Sequence, residues 1–232
     1  MERHEAFTFN TPSSLTIAGP SGCGETVFTA RLLLDNKDLF ASPPKTIRYC
    51  YGSWQHGFEP LKKGSVKFHE GVPDRSLLPK WFPQGGILVL DDLMNEGGND
   101  KNVLDLFTKH SHHQNITVIY LCQDLFPAGK FAKTISRNAH YIAAFKNPHD
   151  QLGLRNLLQQ SLPTQFREVM DMFRKVTNER LFAYLLLDLH PASCDDQRIL
   201  SHVLKDKSFM RCYHKVPAVS EFARVGNLPC PN

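Results

Sequence analysis

A glycine-rich loop at residues 19–26, Gly-Pro-Ser-Gly-Cys-Gly-Glu-Thr, constrains the fold of this chain more than any other feature. Its spacing matches the phosphate-binding pattern G-x-x-x-x-G-K-[ST], in which successive backbone N–H groups curl around phosphate oxygens. The match has one exception, because Glu25 stands where the pattern has lysine. A carboxylate replaces attraction for phosphate by repulsion, and two unit charges about 4 Å apart interact by roughly 4 kcal/mol at an effective dielectric near 20. The loop therefore predicts a phosphate-binding fold whose turnover is in doubt.

The segments on either side of the loop favour a phosphate site over a chance glycine-rich turn. Residues 14–18 are a short apolar, β-branched run typical of a buried strand, and residues 26–34 have a helical pattern. A strand, a glycine loop and a helix N-terminus form the arrangement that binds phosphate. We expect the whole loop to bind a nucleotide, with Thr26 also holding Mg²⁺. The nucleotide-binding residues predicted in this way are Gly19, Pro20, Ser21, Gly22, Cys23, Gly24, Glu25 and Thr26.

Alternating apolar runs and helical patterns continue along the chain to about residue 188. Strands are predicted at 46–51, 66–69, 87–92, 116–122, 141–145 and 181–187, and helices at 101–113, 128–138, 150–162 and 164–176. This order is typical of βαβ units and a parallel sheet. We therefore predict an α/β fold of the P-loop NTPase class (ASCE type), with a mostly parallel sheet flanked by helices.

The periodicity fades after His190, which divides the chain into two parts. Residues 1–188 are predicted to form the P-loop ATPase domain, and residues 189–232 a basic, partly irregular C-terminal tail. Between residues 201 and 232, five cations oppose two anions, in a chain whose net charge is +4. Such a tail is typical of a contact with nucleic acid phosphates and equally of a solvated chain end, and both interpretations stay open.

Composition and cysteine use predict an intracellular chain that is not secreted. The apolar run at 181–187 is far shorter than the roughly 20 residues of a membrane helix, so no membrane span is expected. Residues 1–5 carry charges of both signs, and no apolar segment of a secretory signal follows them. The six cysteines contain no C-x₂-C pair, which argues against a zinc site, and we interpret them as reduced thiols.

Two carboxylates end the apolar run at residues 87–92. Ligand sites in open α/β sheets lie beyond the carboxyl ends of the strands, and this run has the pattern of a Walker B motif. Asp91 is predicted to join Thr26 around Mg²⁺, and Asp92 to orient or deprotonate the attacking water. The alternative is that the pair caps the helix that follows.

Gln123 and Arg137 are further candidates for the nucleotide site, whereas a group of three histidines is not. Gln123 ends the strand at 116–122 and is placed to contact the γ-phosphate, or else to bond loop backbone. Arg137 precedes the strand at 141–145 and is a candidate arginine finger toward a neighbouring subunit's nucleotide, or else a surface charge. His110, His112 and His113 are not expected to bind metal, because no acidic or thiol ligands lie nearby in the sequence.

Taken together, four segments resemble the viral DNA-packaging ATPases of the FtsK/HerA superfamily, which occur in large double-stranded DNA viruses, virophages and Polinton/Maverick transposons. The segments are 18–24, 87–93, 111–123, and 136–141 followed by 145–148. The narrowest is 111–123, Ser-His-His-Gln-Asn-Ile-Thr-Val-Ile-Tyr-Leu-Cys-Gln, and the similarity extends over about residues 14–188. The resemblance implies a homo-oligomeric ring that hydrolyses ATP with Mg²⁺ and drives double-stranded DNA into a capsid. It also implies a capsid portal or vertex partner, at an assembly site in the host cytoplasm or nucleus.

Three positions depart from the family pattern. Glu25 replaces lysine, Asp124 stands where asparagine is usual, and Asp92 is shorter than a glutamate. The leading hypothesis is therefore a DNA-packaging motor ATPase with turnover in doubt. The alternative is a non-hydrolysing P-loop module that keeps the fold and the assembly surface. A small-molecule kinase is less well supported, because Gln123 and the Asp91–Asp92 pair suit activation of water and no substrate lid is evident.

Overall fold

The computed structural model describes residues 7–93, 101–107, 114–126 and 130–204, together with the backbone of residues 211–212. Its strands form a single nine-stranded sheet, which contains the seven strands predicted from the sequence and two more from the segment after residue 188. The strands are β1 (Ser14–Ala18), β2 (Ile47–Tyr51), β3 (Val66–Glu70), β4 (Gly86–Asp91), β5 (Ile116–Cys122), β6 (Tyr141–Phe145), β7 (Tyr184–Asp188), β8 (Ile199–Ser201) and β9 (Arg211–Cys212).

The strand order is β3-β2-β4-β5-β1-β6-β7-β8-β9. The first six strands in this order are parallel, and the last three are added antiparallel. Strand β1 lies near the middle, with Ser14 opposite Val118 of β5 and Leu15 opposite Tyr141 of β6. The carboxyl ends of β1, β4, β5 and β6 therefore meet at one edge of the sheet. The predicted mostly parallel α/β sheet of a P-loop NTPase is confirmed.

Helices cover both faces of the sheet. They are α1 (Glu25–Leu34), α2 (Asn36–Leu39), α3 (Glu59–Lys62), α4 (Leu78–Trp81), α5 (Lys101–Asp105), α6 (Ala132–Arg137), α7 (Gln151–Ser161) and α8 (Phe166–Glu179). Because side chains alternate along a strand, Ile17 of β1 packs on the face of α1 and Ala18 on the face of α7 and α8. Each face buries its own apolar cluster, so β1 is held from both sides.

Strands β1, β5 and β6 have the bounds that the sequence predicts, whereas β7 begins later than expected. Its predicted start is Leu181, but pairing begins at Tyr184 because the preceding residues turn. Phe182 in that turn has a φ of 61°, in the left-handed region. The predicted helix at 101–113 is described only as far as residue 107, so His110, His112 and His113 lie outside the described residues.

The segment expected to be a partly irregular tail contributes strands to the sheet. Ile199 and Leu200 of β8 are buried, and β9 pairs with β8. Cys194, in the connection before β8, is disulfide-bonded, which corrects the expectation of six reduced thiols. Cys23, Cys50 and Cys122 are free, as predicted. Among the described residues, no helix combines the length and the apolar character needed to cross a membrane.

Candidate nucleotide site

The glycine loop at residues 19–26 connects the end of β1 to the first turn of α1, as its sequence predicts. Gly24 precedes the helix with a φ of 103°, a conformation that L-amino acids with side chains rarely adopt. A Cβ at this position would lie 2.8 Å from the Cβ of Phe182, so glycine is required for space as well as for φ. The loop and the N-terminus of α1 thus form the strand–loop–helix unit that binds phosphate.

Glu25 occupies the position of the missing lysine and faces the other carboxylates of the site. Its side chain is partly buried, and Oε2 has no hydrogen-bond partner among the described residues. Burial, and then the nearby charges of Asp91 and Asp92, raise the pKa of Glu25 to about 8. At neutral pH the carboxyl group is therefore largely protonated. The repulsion of phosphate expected from the sequence is weakened, but no cation takes the place of the lysine at this position.

Asp91 is the last residue of β4 and is almost fully buried, at 3% exposure. Its Oδ2 accepts a 2.6 Å hydrogen bond from the phenol of Tyr49 on β2. Burial raises the pKa of Asp91 to about 6, although the bond from Tyr49 acts in the opposite direction. Asp92 is exposed and has a φ of 55°, so the backbone bends immediately after the strand.

The hydroxyl of Thr26 is already engaged within the protein. Its Oγ1 donates a 3.1 Å hydrogen bond to Oε1 of Gln55, which lies in the connection after β2. No cluster of three or more histidine, cysteine or carboxylate ligands occurs among the described residues. A magnesium ion usually uses one or two carboxylates plus substrate phosphates. Thr26 and Asp91 therefore fit Mg²⁺ that arrives with a nucleotide, provided that Thr26 exchanges its bond to Gln55.

Gln123 follows β5, the strand between β4 and β1, and lies at the same edge as the loop. It is exposed, and its backbone oxygen accepts a 3.3 Å hydrogen bond from Nδ2 of Asn147. Together with Gly19 and Lys146, it lines a cavity of about 150 Å³ on the α7–α8 face of the sheet. The edge of the sheet thus brings together the glycine loop, Asp91, Asp92 and Gln123.

Arg137 lies at the opposite edge of the sheet. It ends α6 and is exposed, and the next residue, Asn138, accepts a 2.8 Å hydrogen bond through its backbone oxygen from Oγ of Ser14. Ser14 begins β1, whereas the glycine loop follows the end of that strand. Arg137 is therefore not part of the site in its own chain, and any contact with a nucleotide would be with that of another copy.

Three side chains at the site were not identified from the sequence: Tyr49, Gln55 and Phe182. The one sequence signal for Tyr49 is its polar hydroxyl within the apolar strand β2, and only the structure shows that this strand pairs with β4. Gln55 and Phe182 reach the loop from distant parts of the chain and have no local pattern that indicates it.

No protein-family model and no curated protein matches this chain. Similar solved structures include the genome packaging NTPase B204 from Sulfolobus turreted icosahedral virus 2 in complex with ATP-gammaS, at 12% identity and a TM-score of 0.51, covering 82% of this chain and 97% of that one. The same NTPase in complex with AMPPCP is 15% identical, with a TM-score of 0.51 and coverage of 82% and 96%. At such identities the likeness establishes the fold alone. The resemblance to viral packaging ATPases is confirmed at that level, and the chain therefore shares the P-loop NTPase fold of a viral genome packaging NTPase.

Proposed function

We propose that this chain is the ATPase domain of a DNA-packaging motor, in which Glu25 impairs hydrolysis. The observation that carries the proposal is the convergence of the glycine loop, Asp91 and Gln123 at the carboxyl ends of β1, β4 and β5. The motor would act as a homo-oligomeric ring that moves double-stranded DNA into a viral capsid, together with a portal or vertex protein. It would work inside the host cell, in the cytoplasm or nucleus where virions assemble.

Each residue of the site has a role in this proposal. The backbone N–H groups of the loop Gly19–Thr26, to which Pro20 contributes none, would bind the phosphates of ATP, and Thr26 and Asp91 would hold the magnesium ion. That ion would neutralise charge on the phosphate oxygens. Asp92, exposed just beyond β4, orients the attacking water, and Gln123 contacts the γ-phosphate. Tyr49 fixes the carboxylate of Asp91 through its 2.6 Å hydrogen bond.

A second function, that of a non-hydrolysing P-loop module, is favoured by the surroundings of Glu25. Its carboxyl group joins those of Asp91 and Asp92, whose charges act on its pKa. A protonated Glu25 permits phosphate to bind but adds no positive charge where the transition state develops negative charge. In this case the chain would retain the fold and its assembly surface without turnover.

An ATPase assay with and without duplex DNA tests both functions. The variants are the unaltered chain, Glu25→Lys, and Glu25→Gln, which removes the titratable group without adding a cation. We expect background hydrolysis from the unaltered chain and Glu25→Gln, and DNA-stimulated hydrolysis from Glu25→Lys.

The other outcomes separate the hypotheses. If the unaltered chain hydrolyses ATP rapidly and Asp91→Ala abolishes that activity, impairment by Glu25 is wrong. If Glu25→Lys binds Mg-ATP but hydrolyses none of it, the non-hydrolysing module is the better description. If the intact chain shows no duplex binding even at low salt, the packaging function fails.

A further inference from the structure

A cavity of about 230 Å³ opens beside the glycine loop, on the side where the loop continues into α1. Its lining includes Gly24, Val27, Arg31, Phe182 and His202. Gly24 belongs to both the cavity and the phosphate-binding loop. A ligand whose phosphates lie on the loop therefore has this cavity as an adjacent space for the rest of the molecule.

The side chain of Phe182 forms a wall of this cavity against the loop. Phe182 is 60% exposed although it is a large apolar residue, and Leu181 beside it is 87% exposed. Its Cβ is 2.8 Å from the point where Gly24 would carry a Cβ, so the ring lies directly against the loop. An exposed aromatic side chain in contact with a phosphate-binding loop presents a flat apolar surface to a bound ligand.

The backbone conformation around Phe182 also supports a ligand site at this cavity. Phe182 and His202, which both line the cavity, have φ values of 61° and 57°. Non-glycine residues in this left-handed region are uncommon, and they cluster at ligand sites where the surrounding structure holds them in place. Two such residues line the same cavity, and this conformation keeps Phe182 at the loop rather than in the strand predicted for it.

The chemistry of the lining indicates the class of ligand. Val27 is exposed and supplies a second apolar surface, while Arg31 and Arg180 place positive charge at the cavity. Apolar flat walls with a few cationic groups suit a planar heteroaromatic ring attached to a phosphorylated sugar. We propose that this cavity seats the base and ribose of the nucleotide, with the base stacked on Phe182. This proposal rests on the proposed function, because it requires the phosphates to bind the adjacent loop.

Calorimetric titration with two probes tests the base site separately from the phosphate site. Mg-ATPγS carries a base, whereas inorganic tripolyphosphate with Mg²⁺ carries only phosphates. Both probes are titrated into the full chain, and again into Glu25→Lys, with Phe182→Leu and Phe182→Tyr introduced into each. Phe182→Leu keeps an apolar contact with Gly24 but removes the aromatic ring, while Phe182→Tyr keeps the ring. Leu152→Ala, an exposed leucine on α7 that does not line the cavity, is the matched control.

We expect Phe182→Leu to weaken ATPγS binding roughly tenfold and to leave tripolyphosphate binding unchanged. Phe182→Tyr and Leu152→Ala should bind both probes like their parent chains. If Phe182→Leu weakens the binding of ATPγS and tripolyphosphate equally, or weakens neither, the proposed base site is wrong. The same conclusion holds if the substitution changes only the oligomeric state. If neither probe binds the unaltered chain or Glu25→Lys, the proposed function itself fails, and the base site falls with it.

Discussion

The phenol of Tyr49 donates a 2.6 Å hydrogen bond to the Oδ2 of Asp91, and both side chains are buried between neighbouring strands β2 and β4. Burial alone would favour the protonated form of Asp91. The donated bond favours the ionised form, which is the form that binds a metal ion. Tyr49 is therefore a positioning residue for the carboxylate that we assign to Mg²⁺.

Tyr49→Phe should lower the free energy of unfolding, and more so at pH 8 than at pH 5. A hydrogen bond to a charged group contributes about 1.5–3 kcal/mol. The pKa of Asp91 is about 6, so its carboxylate needs the bond mainly above that pH. Urea denaturation at the two pH values measures the difference, with Tyr51→Phe as the control on the same strand. An equal loss at both pH values would contradict this role.

Glu25 should make the nucleotide-free protein less stable as the pH rises. The pKa of Glu25 is raised from an ordinary 4.5 to about 8, so between these values the folded state binds a proton that the unfolded state has released. Stability then falls with pH across this window and levels off above it. Glu25→Gln removes this dependence. The resulting gain in stability above pH 7 would raise Tm by roughly 2–4 °C for each kcal/mol gained in a chain of this size.

Thermal unfolding from pH 5 to pH 9 measures this effect. Glu168→Gln, at an exposed position in the first turn of α8, is the control for replacing a glutamate by glutamine away from the site. If the profile of Tm against pH for Glu25→Gln runs parallel to that of the unaltered chain, Glu25 has the same pKa in the folded and unfolded states, and this prediction is wrong.

Alanine substitutions at two glycines of the loop should lower the free energy of unfolding by different amounts. Gly22 and Gly24 both have positive φ, but a Cβ at Gly22 meets nothing within 4 Å, whereas one at Gly24 meets Phe182. Gly22→Ala should therefore cost only the backbone strain, about 1–2 kcal/mol, and Gly24→Ala should cost more. In a double-mutant cycle measured by urea denaturation, Phe182→Gly should recover part of the additional loss at Gly24, because it removes the Cβ that Gly24→Ala would meet. Equal losses at the two glycines would contradict the contact.

Arg137 is expected to act on the nucleotide of a neighbouring subunit. In the Glu25→Lys background, Arg137→Ala should reduce ATP hydrolysis sharply while ATP still binds, because a finger stabilises the transition state. Arg155→Ala, an exposed arginine on α7, is the control. Mixing Arg137→Ala chains with Asp91→Ala chains should restore part of the activity, and the assignment in trans is wrong if it restores none.

Duplex DNA binding is expected to depend on phosphates rather than on base sequence, and to weaken steeply with salt. Truncation after Leu189 is unsuitable for testing the tail, since it would remove β8 and its buried residues Ile199 and Leu200 from the sheet. Neutralising Lys205, Lys207 and Lys215 with glutamine in the full chain avoids that damage. The salt slope, measured by fluorescence anisotropy, should fall by up to about 2.7 if all three contact phosphates. An unchanged slope would exclude the tail lysines.

Much of the fold is predictable because buried parallel strands are continuous apolar runs, as in β1, β5 and β6. The exposed pair Leu181 and Phe182 shows the limit of that signal, because hydrophobicity predicts burial and does not distinguish a strand from an apolar loop at a cavity. The protonation of Glu25 was also missed, since it follows from burial beside Asp91 rather than from local sequence.

Contacts between distant segments limit the prediction of the site in the same way. The bonds of Thr26 to Gln55 and of Tyr49 to Asp91 depend on which strands are neighbours. Periodicity along the chain identifies strands but not their order across the sheet, so these partners became evident only from the structure.

The central position of β1 has a consequence for biosynthesis. Its two neighbours, β5 and β6, lie far later in the chain, with Ser14 pairing with Val118 and Leu15 with Tyr141. A ribosome makes the glycine loop before either neighbour of β1, so the strand that supports the loop has no partner until β5, at residues 116–122, has emerged. Long-range pairing of this kind is slow and exposes apolar segments to aggregation. The nascent protein should therefore acquire nucleotide recognition only after β5 and β6 have emerged and paired with β1.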